Sequence, residues 1–152
     1  MGPDLVKAIQ EISLRMRLLK AIQEETGAAD SLSERDTIIL ELLNEHGQMT
    51  VSQIAGAVPS GSTSTISTTI TNLWRKKGFV SKMTDPENQR TTIVELTQKG
   101  KDAIEVVNKQ RAERFQTLFQ AIEVTEDEKQ VMLTILGRAM PFFDNILVSK
   151  KK

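Results

Sequence analysis

Apolar residues fall at helical spacing along most of this chain. Leu5, Ile9, Ile12, Met16 and Leu19 recur at steps of four, three, four and three, with Leu18 and Ile22 beside them. That spacing predicts an amphipathic first helix ending near Gly27, at a Gly-Ala-Ala-Asp break. Ser33 is a good N-cap for a second helix that carries Ile38, Ile39, Leu42 and Leu43 and stops at Gly47. Met49 reads as a one-residue extended link. Thr50 with Gln53 three residues on forms a capping box for a brief helix through Ile54, Ala55 and Val58, closed by Pro59.

The next stretch sets two rules against each other. Nine of the twelve residues at 60–71 are Ser or Thr, and no formal charge falls between His46 and Trp74, a composition typical of flexible linkers. Yet Ile66, Ile70, Leu73, Trp74 and Lys77 keep helical spacing, and Gly78 follows as a stop. A linker has no reason to gather its only large apolar residues on one face. The spacing therefore predicts a helix over 62–77, docked through its isoleucines, leucine and tryptophan.

Two β-branched or alternating runs, 79–83 and 91–96, bracket the turn-forming Asp85-Pro86-Glu87-Asn88, which predicts a β-hairpin with Arg90 near its tip. Thr97 caps a long helix striped by Ile104, Val107, Arg111, Phe115, Leu118 and Ile122. A second capping box, Thr125 with Glu128, opens a last helix striped by Met132, Ile135, Leu136, Ala139, Phe142, Phe143 and Ile146. Pro141 is expected to kink that helix or end it early, and the lysines at 150–152 to fray.

Composition narrows the chemistry. Leu, Ile, Val and Phe make up 42 of 152 residues, roughly 28% and well above the level of about 20% below which chains stay disordered. Without cysteine there are no disulfides, thiol nucleophiles or thiol redox switches, and the single His46 cannot build a zinc site unaided. Neither a metal nor a cofactor is expected. The first nine residues carry Asp4 and Lys7 and no long apolar core, and no uncharged apolar run approaches the roughly 20 residues that span a bilayer. The expectation is a cytoplasmic protein with no membrane partner.

The net charge of zero hides an uneven distribution. Residues 1–59 hold five basic and nine acidic side chains (−4), residues 60–101 seven and three (+4), and residues 102–152 eight of each. A local basic excess is the electrostatic footprint of a polyanion-binding element, as well as of an ordinary solvated lysine-rich face.

Helix, helix, short helix, turn, helix, hairpin is the order of a winged helix-turn-helix, whose second motif helix enters the major groove of DNA. Measured from Ile66, the side of the Ser/Thr helix opposite its apolar stripe carries Ser64, Thr68, Thr71, Asn72 and Arg75. Hydroxyls there can meet phosphates or base edges, a Thr methyl can pack on a thymine methyl, and Arg or Asn can make bidentate base contacts. Lys76, Lys77, Lys82 and Arg90 are the main charge-bearing candidates.

The chain resembles the MarR (multiple-antibiotic-resistance regulator) family of transcription factors over 32–136. The most specific part is Leu-Trp-Arg-Lys-Lys-Gly-Phe-Val at 73–80, followed by DPENQRTTIVELTQKG at 85–100. The resemblance implies a mainly α fold with a small β-hairpin wing, and a single 1–152 domain. Within it, 32–97 would be the DNA-binding winged helix-turn-helix, flanked by dimerisation helices at 1–27 and 98–149. It implies a recognition helix at 62–75, which adds Ser62 and Thr65 to the candidates, and a wing bearing Asn88 and a minor-groove arginine, Arg90. It also implies a homodimer on double-stranded, pseudo-palindromic operators, often a repressor that associates with the nucleoid. In many relatives a small aromatic or phenolic effector releases the DNA. Asn88 and Gln89 stand where many relatives carry an acidic and a basic residue, so this wing has one ion-pairing option fewer and one phosphate-binding cation fewer.

The terminal stripes point to a dimer independently, because the unit between them is too small to cover all three. An enzyme is the first rival function, but no nucleophile elbow, zinc-protease motif, nucleotide fingerprint or Walker lysine is present, the Gly61 region included. A winged-helix adaptor that binds protein and not DNA is the second, because a fold alone does not fix a function.

Overall fold

The structure, a computed structural model, describes residues 4–26, 32–58 and 62–150. The break at 27–30, the stop at Pro59, Gly61, and Lys151 and Lys152 lie outside the described residues. By its internal contacts the chain divides into two units, Met1–Ser33 and Glu34–Lys152.

Among the described residues of the first unit there is one helix, α1 (Leu5–Thr26). Its first turn is tied down by Asp4, whose Oδ1 accepts from the Val6 N–H at 3.1 Å. Leu5, Ile9, Ile12, Met16, Leu19 and Ile22 are all half exposed or more.

The second unit runs α2 (Glu34–His46), β1 (Gln48–Thr50), α3 (Val51–Ala57), α4 (Thr63–Arg75), β2 (Val80–Thr84), β3 (Thr92–Leu96), α5 (Gln98–Ala121) and α6 (Glu126–Lys150). The mainly α class with a small wing is as the pattern predicts. Met49 is more than a link, however: it is the centre of a third strand, paired antiparallel with Val94 in a sheet ordered β1-β3-β2. Three residues are too few for alternation to reveal a strand. In the hairpin Val80 faces Leu96 and Thr84 faces Thr92, which turns Val80, Val94 and Leu96 inward together.

The core is built from Ile39, Leu40 and Leu43 of α2, Ile54 of α3, Ile66, Ile70 and Leu73 of α4, the sheet valines and Ile104 of α5. The buried arc of α2 is shifted from the predicted one. Leu40 is inside and Ile38 and Leu42 only half so, because α2 is touched by α4, α5, β1 and β3 at once.

The order of α4 is decided by magnitudes. Seven of its thirteen residues are Ser or Thr, each costing up to roughly 0.7 kcal/mol relative to Ala in a helix, about 4 kcal/mol together. Full burial of Ile66, Ile70 and Leu73 returns roughly 5–9 kcal/mol gross. Ser62 adds an N-cap, accepting from the Thr65 N–H at 3.1 Å. Trp74 departs from the prediction: it is 37% exposed and takes no part in the core. It lies at the edge of the buried arc, where a large ring is only partly covered.

Helix α4 ends at Arg75, two residues short of the predicted Lys77; the turn after it closes at Gly78, whose φ of +67° favours glycine, and the Phe79 N–H reaches back to the Leu73 carbonyl at 2.9 Å. Thr97 clamps this turn to α5. Its hydroxyl donates to the Gly78 carbonyl at 2.6 Å and accepts from the Gly100 N–H at 3.1 Å. Gly100 is required there, because a Cβ would collide with the Phe79 carbonyl.

Helix α6 opens on the predicted Thr125–Glu128 box, with N···O distances of 2.9 and 3.2 Å. It does not end at Pro141 but continues to Lys150. The carbonyl that loses its donor belongs to Gly137, where a side chain would meet nothing within 4 Å, so water can serve it.

Candidate nucleic-acid interface

The outward flank of α4 follows from its inward one. With Ile66, Ile70 and Leu73 buried, residues 64, 68, 71 and 75, at steps of four, three and four, align on the opposite side. Ser64, Thr68 and Arg75 are exposed, and Thr71, Asn72 and Thr65 are half-buried beside them.

Several hydroxyls are already committed. The Thr68 hydroxyl donates to the Ser64 carbonyl at 3.0 Å, and that of Thr69 to the Thr65 carbonyl at 2.9 Å. Such back-bonding satisfies the donor and leaves a lone pair and the methyl to face outward. Ser62 and Thr65 share a hydroxyl–hydroxyl bond of 2.9 Å, so both serve the helix start. Sequence patterning cannot separate these roles, because every hydroxyl in such a run has the same composition signal.

The wing loop is organised by its own side chains. Asp85 Oδ1 accepts from the Glu87 N–H at 2.9 Å and Asn88 Oδ1 from the Arg90 N–H at 3.1 Å, two Asx turns that set the hairpin end. The Asp85 N–H reaches the Thr91 carbonyl at 2.9 Å. Asn88 is thus a loop-shaping residue whose side-chain oxygen is occupied, and Arg90 stands exposed beyond it.

Between wing and helix lies a polar hollow of about 280 Å³ lined by Thr50, Val51, Ser52, Ser67, Lys82, Arg90, Thr91 and Thr92. It brings Lys82 and Arg90 of the hairpin next to α3 and α4, so the predicted wing and recognition helix border one surface. Thr50, Ser52 and Ser67 are not among the site residues read from the sequence, since the third strand that places Thr50 there gives no pattern. Trp74 was missed as a surface residue too. The Arg75 guanidinium lies 4.9 Å and the Lys82 ammonium 5.2 Å from its ring centroid.

Residues 32–92 match the MarR family model. That match spans 61 of the 152 residues. All ten candidate DNA-contacting residues, Ser62 to Arg90, fall within the matched segment, while α1, α5 and α6 lie outside it. The chain is 36% identical over 70 residues to the uncharacterized HTH-type transcriptional regulator YdgJ of Bacillus subtilis, a match over 46% of this chain and 42% of that protein. It thus spans about two-fifths of that relative's length. The crystal structure of Streptococcus pneumoniae FabT in complex with DNA superposes with a TM-score of 0.71 at 16% identity, covering 94% of this chain and 99% of that one. PcaV from Streptomyces coelicolor, in complex with its natural ligand, gives 0.59 at 18%, covering 91% and 96%. At these identities the two structures establish the shared winged-helix fold.

Proposed function

We propose that the chain is a sequence-specific, double-stranded-DNA-binding transcriptional regulator acting as a homodimer in the cytoplasm. Residues 32–97 bind DNA, and helices at 1–27 and 98–149 hold two copies together. The observation that carries this reading is the meeting of α4, through Ser67 next to its outward flank, with the Lys82 and Arg90 side of the wing around one polar hollow. Helix α4 enters the major groove, where Thr68, Thr71 and Asn72 meet base edges, while Ser62, Ser64 and Thr65 support its phosphate-facing start and Arg75 takes a phosphate at its end. Lys82 and Arg90 take phosphates and the minor groove, with Asn88 shaping the loop that presents Arg90.

Association follows from the apolar surface. Val131, Met132, Leu133, Ile135, Leu136, Met140, Phe142, Phe143, Ile146 and Leu147 of α6 are each 40% exposed or more, as are Phe115 and Leu118 of α5. That row exceeds the scattered exposure normal for a monomer, and a second copy covers it symmetrically. A two-fold dimer sets its recognition helices roughly 34 Å apart and reads a pseudo-palindrome. Repression, with release by a small aromatic or phenolic effector, completes the proposal, supported by the fold shared with ligand-bound PcaV.

Selection of bound fragments from random DNA tests this. The expected product is an enriched inverted repeat with half-sites about one turn apart. A pool that stays random while the chain captures a protein partner would favour the adaptor.

A further inference from the structure

Trp74 is the only tryptophan in the chain, and it is spent on the surface. It sits seven residues beyond Ser67, so the two occupy one flank of α4, the flank that meets β2. Lys82 of β2 spans both: it lines the hollow beside Ser67 and holds its ammonium 5.2 Å from the Trp74 ring centroid. Arg75, the last residue of α4, lies over the same ring at 4.9 Å. A ring within about 6 Å of a cation attracts it through its quadrupole, most strongly for tryptophan. One indole thus gathers a cation from the recognition helix and a cation from the wing strand. Two like charges so close repel, and the shared ring offsets that repulsion. Long side chains that would otherwise lose rotamer freedom on meeting a phosphate are already ordered.

Resting on the DNA-binding reading above, we infer that Trp74 is a positioning residue whose indole holds Arg75 and Lys82 as one charged unit, bridging α4 and the wing and presented to the phosphates of double-stranded DNA. Asp85 and Glu87 carry the acidic charge of the wing loop, and neither lines this hollow.

The test uses the full-length chain and has two arms. In the free protein, Trp74 fluorescence is quenched with iodide and with caesium. Flanking cations concentrate iodide, so the iodide-to-caesium quenching ratio rises above that of free N-acetyltryptophanamide, and Lys82→Gln lowers it. A ratio no higher than the free indole's, or no response to Lys82→Gln, overturns the stack without reference to DNA. In the second arm, affinity for a random-sequence duplex several turns long is measured against salt for the wild type, Trp74→Phe and Trp74→Leu. Trp74→Leu weakens binding by about fivefold and lowers the salt slope by roughly one unit, because one phosphate is no longer neutralised. Trp74→Phe, which keeps a ring face, stays within about twofold. Wild-type affinity in Trp74→Leu, or equal loss in Trp74→Phe, overturns the positioning role. A wild-type chain that passes the quenching arm but binds no duplex refutes DNA binding itself, and the role of Trp74 with it.

Discussion

Thr68 shows how one hydrogen bond changes a residue's part in recognition. Because its hydroxyl already donates to the Ser64 carbonyl at 3.0 Å, its outward offering is a methyl and a lone pair, suited to a thymine methyl more than to an acceptor edge. Thr68→Val keeps the methyl and is expected to preserve sequence preference. Thr68→Ala removes it and relaxes preference at one base pair by roughly 1 kcal/mol or less, with little change on random duplex. Parallel binding assays on selected and random DNA check this, and equal losses on both would place Thr68 on a phosphate. The outward flank of α4 was legible in the sequence because three fully buried residues, Ile66, Ile70 and Leu73, fix a helix's rotation. Hydroxyl commitments and the Trp74 platform were not, since both depend on rotamers and on β2, which is remote in sequence from the start of α4.

At the level of elements, the joints matter most. Gly100 lies under the Phe79 carbonyl, with Thr97 bonded on both sides, so the wing, the turn after α4 and the start of α5 are set by one junction. Gly100→Ala is expected to destabilise the fold by about 2–3 kcal/mol, as overpacking against backbone does. Denaturant unfolding measures it, and an unchanged midpoint would contradict the clamp. The start of α6 makes a pH prediction. The Thr125 backbone N–H donates to Glu128, and the Thr125 hydroxyl acts in the same direction, which holds that carboxyl below the usual glutamate range. A carboxyl whose folded pKa is depressed stabilises fully above its unfolded value, and that stabilisation is lost as pH falls through the folded value. Melting of the wild type should therefore drop more than that of Glu128→Gln as pH falls through and below the ordinary glutamate range. Superimposable pH curves would remove the effect. Capping boxes, at Thr50–Gln53 and Thr125–Glu128, were readable because their spacing is local. The strand at Met49 was not, since it exists only by pairing with Val94. Of the two outcomes read from Pro141, the early end does not occur, since α6 runs on to Lys150: the residue whose carbonyl loses its donor, Gly137, is exposed, and exposure is not a property of local sequence.

For the molecule as a whole, the sequence's strongest statement was about surface left uncovered. Helix α6 keeps Leu136 51% and Phe143 58% exposed, with no aqueous reason for a row of such residues. Leu136→Glu is expected to shift sedimentation from a dimer toward the 17.0 kDa monomer at concentrations where the wild type stays paired, through the cost of burying an unpaired charge. A wild type already monomeric, or a variant with unchanged mass, would contradict association through α6. Among the described residues no helix is long and apolar enough to cross a membrane. The identity of an operator or effector was never legible. Base preference depends on side-chain rotamers against DNA, and the core pattern of Met and Phe does not distinguish filler from pocket lining.

The most direct measurement is the affinity of the intact chain for duplex DNA as salt is raised, alongside Arg90→Ala. If the hydroxyl flank of α4 and the basic wing face a double helix, log affinity falls linearly with log salt, and Arg90→Ala gives weaker binding with a slope shallower by roughly one. Retention that is absent, or that ignores both salt and the loss of Arg90, would contradict it.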